Sequence, residues 1–393
     1  MYSLRLQELQ RQRLLRAAKD RDLSRGSRIV IEGREYVNFA SNDYLGLSGD
    51  PALVAAAKEA MEEFGFGSGA SRLLSGGTRL HRKLEEEVAR FKGAEAALVF
   101  NSGYAANCGA IPSLASTQDI IFSDELNHAS IVEGCRLSRA RTVVYRHGDM
   151  SHLESLLKHE AERSPGRGRS IFVTDTVFSM DGDIAPLRAL WELCGRHDGL
   201  LYIDDAHATG VIGSGKGALA HFGISPEPRI IQMGTFSKAL GSYGAFVAGS
   251  REVIDWLTST ARTFMFSTAL PACVVAASLK ALGMIGAGHD SLRGLWTNHR
   301  RLLQGLSEIG GEISSETPII PLKIGGVGET LAASQQLSEK GLYVPAIRPP
   351  TVKEPRLRIT VTASHTDEDI DRLVEALKEL LQCAPSSPPL CQR

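Results

Sequence analysis

Seven short apolar runs fall between residues 96 and 248, separated for the most part by stretches of helical spacing. They are Ala96–Phe100, Ile120–Phe122, Thr142–Tyr145, Ser170–Thr174, Leu200–Ile203, Ile230–Met233 and Ala245–Ala248. A strand that is apolar along its whole length is buried on both faces. Runs of this kind between helices therefore predict an α/β fold with a large, mostly parallel sheet covered on both sides. Ligands of such sheets bind beyond the carboxyl ends of the strands. The chemically interesting residues should then follow the runs, and they do: Asn101-Ser102-Gly103-Tyr104, Asp204-Asp205-Ala206-His207 and Thr235-Phe236-Ser237-Lys238.

Beyond the seventh run, helical patterns fill roughly 270–310. A smaller α/β unit follows, with strand Ile319–Ile324, helix Glu329–Lys340, strand Leu357–Thr362 and helix Asp367–Leu381. At 393 residues the chain is long for one core, and the patterns divide it. Residues 1–45 form a helix and arm expected to pack on the small domain. Residues 46–285 form the large domain, residues 286–382 the small C-terminal domain, and residues 383–393, rich in Pro and Ser, a disordered tail. The first segment, MYSLRLQELQRQRLLRAAK, lacks the apolar stretch of a secretory signal and reads as a surface helix rather than an Arg-rich transit peptide.

A net charge of −1 gives no electrostatic case for nucleic acid or a membrane surface. No apolar run reaches membrane-spanning length. The six cysteines are scattered without a CxxC pair, which argues against a zinc site or a disulfide framework and for a reducing cytoplasm, and no metal site is expected.

Two lysines sit in glycine- and hydroxyl-rich stretches, Lys216 in GVIGSGKG and Lys238 in GTFSKALGS. The first nearly matches a nucleotide-binding phosphate loop, GxxxxGK[ST]. That chemistry needs a hydroxyl after the lysine to hold magnesium, and the position is Gly217. The loop also fails to follow its strand directly, so a glycine-rich surface turn is the better reading, and a nucleotide-driven switch the rival one.

Lys238 has the company that a pyridoxal phosphate (PLP) site requires. PLP forms an imine with a lysine amine, and its ring nitrogen needs a carboxylate to stay protonated. Asp204 ends the run LLYID and can be both buried and aimed at the cofactor; Asp205 is the alternative. An ion pair at ~3 Å in an effective dielectric of ~20 is worth ~5 kcal/mol, enough to raise a ring nitrogen by up to about four pKa units before desolvation subtracts. Gly103 and Tyr104 open a helix after a strand, where backbone amides meet phosphate. Thr235 adds a hydroxyl. His128 and Ser179 also follow strands.

These residues belong to a larger pattern. NDYLGL (42–47), GSGASRLLSG (67–76), NHASIVEG (127–134), FSMDGD (178–183), DDAHATGV (204–211), TFSKALG (235–241) and RLRIT (356–360) occur in order along nearly the whole chain. In this the chain resembles the α-oxoamine synthases, PLP-dependent transferases of fold type I, the aspartate-aminotransferase fold. The resemblance implies that Lys238 forms the imine and that Asp204 partners the ring nitrogen. It implies that His128 stacks on the ring and faces substrate, and that His207 and Ser179 lie near the ring hydroxyl. Gly103, Tyr104 and Thr235 become cofactor contacts. Arg358 becomes the clamp for the amino-acid carboxylate, with Asn42 close to it. It also implies a cytoplasmic homodimer in which Ser267 and Thr268 reach the neighbouring subunit's phosphate.

AIRPPT (346–351), followed by RLRITVTASHT, is more particular. It resembles the branch of the family that serves biotin biosynthesis, joining L-alanine to pimeloyl-CoA or pimeloyl-acyl carrier protein with loss of CO₂. The branch that joins glycine to acetyl-CoA is the alternative. Thr351 would then contact substrate, and Arg16, with Arg13 as alternative, would meet the acyl chain. One departure stands out: Lys353-Glu354-Pro355 replaces the usual small residue in a slightly shortened segment.

Overall fold

The computed structural model describes residues 2–163, 168–309 and 315–382. The tail expected to be disordered, 383–393, lies outside them. The chain divides into two compact units: Leu47–Ser179 with Asp183–Leu292, and Met1–Gly46 with Met180–Gly182 and Arg293–Arg393.

The larger unit is built on a seven-stranded sheet. Its strands run in the spatial order Ala96–Phe100, Ala245–Gly249, Ile230–Thr235, Leu200–Asp204, Ser170–Asp175, Ile120–Asp124 and Arg141–Tyr145. Six of them point the same way, five in consecutive parallel pairs, and Ala245–Gly249 runs antiparallel to both of its neighbours. The predicted α/β architecture with a mostly parallel sheet is thus the observed one. Four strands extend past the apolar runs to end on Asp124, Asp175, Asp204 and Thr235. Backbone pairing continues where apolar character stops, so each strand delivers a polar side chain at its carboxyl end. Register aligns these ends, with Asp175 opposite Asp204 and Asp204 opposite Met233.

The six strands other than Arg141–Tyr145 are buried at nearly every position. Leu98, Ile121, Val173, Tyr202, Met233 and Val247 pack with Ala110, Ile111, Ile131 and Leu257 in one core cluster. Each fully buried aliphatic or aromatic side chain of this kind contributes about 1.5–3 kcal/mol. Helix Gly103–Leu114 starts where Ser102, in extended backbone, accepts the Ala105 N–H on Oγ at 3.1 Å. Helix Ala129–Leu137 is capped in the same manner by the His128 ring.

The smaller unit has two short sheets and three long helices. Strands Leu23–Arg25, Arg28–Ile31 and Arg34–Asn38 form an antiparallel meander, joined in parallel by Leu342–Tyr343. Strands Ile319–Leu322, Arg356–Thr360 and Ala346–Ile347 form the second sheet. Val37, Phe39, Leu302, Ile320, Leu337, Ile359 and Leu373 share its core. Arg28 grips the buried Asp369 with both guanidinium nitrogens, at 2.8 and 2.7 Å. Helix Tyr2–Arg11 has no buried residue. Among the described residues no single helix is long and apolar enough to cross a membrane.

Candidate active site

A cavity of about 250 Å³ opens at the carboxyl ends of the central strands of the larger unit. Its lining includes Gly103, Tyr104, His128, Asp175, Asp204, His207, Thr235 and Lys238. A larger groove of about 1330 Å³ runs along Gly109–Ser116 and Glu252–Thr263. It brings no lysine, histidine or strand-end carboxylate together, so chemistry is assigned to the smaller cavity.

Lys238 stands three residues past its strand, in a turn closed by the Gly241 N–H on Lys238 O at 2.9 Å. Gly241 has φ +61°, and a Cβ there would lie 2.4 Å from the backbone at Leu47 and Ser48, so the turn admits only glycine. Upstream, Thr235 Oγ1 accepts the Ser237 N–H at 3.1 Å and lies 2.6 Å from Ser237 Oγ.

Asp204 is almost inaccessible, 3% exposed. Its Oδ1 accepts the Ala206 N–H at 3.0 Å and its Oδ2 accepts from Asn107 Nδ2 at 2.8 Å. Burial pushes its carboxyl up, and the Lys238 charge and these two hydrogen bonds pull it back. Asp175, fully enclosed and opposite Asp204, is pushed much further up by burial and by the Asp204 charge, with the His128 N–H as its counterweight at 2.6 Å. Of the two, Asp204 is the better anion. Burial also pushes the His128 imidazole down, toward the neutral form.

Asp205, the residue after the strand end, does not line the cavity. Its carboxylate takes the Lys92 ammonium at 2.6 Å, the Thr176 hydroxyl at 2.8 Å, the Thr209 hydroxyl at 3.2 Å and the Ala218 N–H at 3.1 Å. Lys92 Nζ also donates to Lys216 O at 2.7 Å. The glycine-rich loop is therefore held by a buried ion pair, and the Lys216 side chain is exposed.

Ser179, Ser267 and Thr268 do not line the cavity. Thr268 O accepts from Asn101 Nδ2 at 2.8 Å, and Ser267 lines a separate small void beside His81. In the smaller unit, Arg358 is 4% exposed. It donates to Thr360 Oγ1 at 2.8 Å and to Asn42 Oδ1 at 3.2 Å, so the residues named for an amino-acid carboxylate are in contact. Arg16 donates to Thr351 Oγ1 at 3.1 Å, and Arg348 to Leu15 O at 3.0 Å. Arg13 instead lies against Gly328, with its own φ at +57°.

Asn107, Ser130 and Asp175 escaped the sequence reading. Asn107 had a visible signal, an amide in the middle of an apolar helix that follows a strand end. Asp175 had one too, its place directly after the run Ser170–Thr174, whereas Ser130 had none beyond its place in NHASIVEG.

These residues fit PLP. The amides of Gly103 and Tyr104 precede the first intrahelical bonds, which Ala105 and Ala106 make to Ser102, so they are available to a phosphate. Asp204 keeps acceptor capacity after its two hydrogen bonds. Lys238 and the Ser237 hydroxyl complete the donor set, and Thr235, whose own hydrogen goes to Gly244 O at 2.7 Å, holds Ser237 in place.

The sequence matches the aminotransferase class I and II family over residues 34–377. It is 49% identical to an 8-amino-7-oxononanoate synthase of Geobacter sulfurreducens, over 95% of this chain and 96% of that one. The fold superposes on a serine palmitoyltransferase variant from S. paucimobilis with PLP and myriocin bound, at TM-score 0.90 and 29% identity, covering 97% and 96% of the two chains. It superposes on the 8-amino-7-oxononanoate synthase of Francisella tularensis at TM-score 0.75 and 28% identity, covering 88% and 98%.

Proposed function

Because this chain belongs to the aminotransferase class I and II family, we propose that it carries out the PLP-dependent decarboxylative condensation of L-alanine with a pimeloyl thioester. The products are 8-amino-7-oxononanoate, CO₂ and the free thiol, and the reaction serves biotin biosynthesis. One observation carries this reading: Lys238, Asp204, His128 and His207 converge on one cavity beside the amino end of helix Gly103–Leu114. Near-half identity to synthases of that name supports the choice of branch.

When bound, PLP supplies an aldehyde carbon for the amine and an electron sink for the bond broken at Cα. Lys238 Nζ would be the amine that holds the cofactor, and the same amine would take the substrate's Cα proton as a base and later return one. Asp204 would hold the proton on the ring nitrogen. Gly103, Tyr104 and Thr235 would hold the phosphate, His128 would face the ring, and His207, with Ser179 from outside the cavity lining, would serve the ring hydroxyl. Arg358, oriented by Asn42 and Thr360, takes the amino-acid carboxylate through a charge-assisted fork. Arg16 and Thr351 meet the distal carboxylate of pimelate, a charge too costly to bury unpaired. The enzyme works as a cytoplasmic homodimer, with Ser267 and Thr268 acting on the partner's phosphate. Four buried cysteines kept as thiols, Cys108, Cys135, Cys194 and Cys273, support a reducing compartment.

Borohydride reduction of the holoenzyme followed by peptide mapping should place the pyridoxyl adduct on Lys238. An adduct on Lys216 would overturn the lysine assignment. A substrate matrix should favour L-alanine with pimeloyl thioester; better turnover of glycine with acetyl-CoA would leave the family standing and remove the biotin branch.

A further inference from the structure

A chain of buried hydrogen bonds runs from Tyr202, in the central strand Leu200–Asp204, to the cavity wall, and the donor in each link can be named. Tyr202, Asn107, Ser130 and Asp204 are 0, 0, 1 and 3% exposed. Tyr202 OH lies 2.8 Å from Asn107 Oδ1 and donates to it. Asn107 Nδ2 has two hydrogens. One goes to Asp204 Oδ2 and the other to Ser130 Oγ, both at 2.8 Å. An ionised carboxylate can only accept, so Asp204 fixes which way the Asn107 amide points.

With Ser130 Oγ accepting from Asn107, its own hydrogen needs an acceptor. His128 Nδ1 lies 2.7 Å away, and the Ser130 backbone N–H also points at Nδ1, at 3.2 Å. A proton on Nδ1 would face that N–H and would strand the serine hydroxyl. Nδ1 is therefore the acceptor of both, and in a neutral ring the proton sits on Nε2.

We propose that Asn107 and Ser130 are positioning residues that lock His128 as the Nε2–H tautomer, so that this cavity-lining ring offers a hydrogen-bond donor rather than a base. The assignment of this cavity as the cofactor and substrate site is the reading on which the functional consequence rests; the tautomer itself does not depend on it. Asp204 thereby does two things. It is the anion presented to the cavity, and through Asn107 it sets the polarity of the network that ends on His128. The class of group that His128 can serve follows: an oxygen acceptor, such as a carboxylate or a thioester carbonyl, and not an acidic proton.

The direct test is a long-range ¹H–¹⁵N spectrum of the [¹⁵N]histidine-labelled holoenzyme near neutral pH, with the His128 signals identified by their loss in His128→Gln. The expected pattern is a bare Nδ1 and a protonated Nε2. A protonated Nδ1 overturns the proposal without touching the lysine assignment, which borohydride mapping reads separately. Ser130→Ala should let the other tautomer become visible and lower kcat about tenfold, with the KM for alanine within about twofold, the size of one lost hydrogen bond. Ser130→Thr, which keeps the hydroxyl, should restore the wild-type pattern. If Ser130→Ala leaves the His128 signals unchanged, the serine does not hold the ring.

Discussion

Asp204 and Asp205 are adjacent, both sequestered from solvent, and differently employed. Asp205, the residue after the strand end, meets an ammonium, two hydroxyls and an amide N–H. Its roughly four lone-pair positions are filled. Asp204 receives one side-chain amide and one backbone N–H, and lines a cavity. Surroundings, not residue type, sort them. A carboxylate whose partners are all protein is a structural clamp; one left with spare acceptor capacity at a cavity is available to a ligand.

The sharpest way to break that comparison is to remove each acid in turn. Asp204→Asn should lower turnover about 10²–10³-fold, the size of losing one preorganised electrostatic partner, with little change in melting temperature. Asp205→Ala leaves the Lys92 ammonium, 1% exposed, without its anion. It should cost about 3–5 kcal/mol of stability in denaturant titrations. Lys92→Met with Asp205→Asn should sit nearer wild type than the two single changes added together, by about 1–3 kcal/mol. Loss of turnover in Asp205→Ala at unchanged stability would show that the two roles had been exchanged.

The same pair explains the glycine-rich loop. A Cβ on Gly217, whose φ is +101°, would lie 1.8 Å from Asp205 Oδ2 and 2.7 Å from Lys92 Nζ. The residue that spoils the phosphate-loop motif is glycine because an ion pair lies beneath it. Gly217→Ala should cost about 2–3 kcal/mol through overpacking and backbone strain. Lys216→Ala should stay within about 0.5 kcal/mol and keep full cofactor loading. Cofactor loss in Lys216→Ala would reopen the rival use of that lysine.

Much of this was legible in the chain itself. Strands buried on both faces have no polar alternation to confuse, so five-residue runs such as Ala96–Phe100 marked the sheet. The rule that function follows the strand ends then located Asp204, Lys238, His128 and Gly103. What stayed hidden depends on which face a side chain takes and what it meets far along the chain. Lys92, in RFKGAEAA, looks like a solvated cation ending a helix, and only the fold brings it to a residue 113 positions away. Ser130 reads as an ordinary early helix residue until His128 turns back onto it.

Two histidines extend the contrast to proton linkage. In the smaller unit, His365 stacks on Phe39 at 4.3 Å and accepts the Thr362 N–H at 3.0 Å. Burial pushes it down to about 4 from 6.5. The unfolded chain then binds more protons between those values, so this contribution weakens as pH falls from about 6.5 towards 4. In the larger unit, His147 is pushed down by burial, but Asp124 at 2.9 Å and Asp183 at 2.7 Å outweigh that and hold it up at about 10. Here the native state keeps the proton longer, so its contribution is full below about 6.5 and is lost as pH rises through about 10. Urea midpoints measured across pH should show a shallower acid slope in His365→Gln, with His81, also pushed down to about 4, carrying part of the rest, and a shallower alkaline slope in His147→Gln. A steeper alkaline fall in His147→Gln would contradict the triad.

The smallest effect tests a cation at the opposite extreme from Lys92. Arg16 is exposed, and its contacts are Thr351 Oγ1 at 3.1 Å and Arg348 O at 3.4 Å. Hydrogen bonds in water's reach contribute about 0.5–1.5 kcal/mol, so Arg16→Ala should barely move the unfolding midpoint. Its consequence lies in binding. If Arg16 and Thr351 together meet the distal carboxylate of pimelate and Arg358 meets that of alanine, the KM for the pimeloyl thioester should rise about three- to tenfold, while that for alanine stays within about twofold. Arg16→Lys should recover only part of the loss, because an ammonium keeps the charge but not the planar fork that can serve Thr351 and a carboxylate at once. Equal rises in both KM values would instead mean that Arg16 acts by tethering the arm to the 346–351 turn.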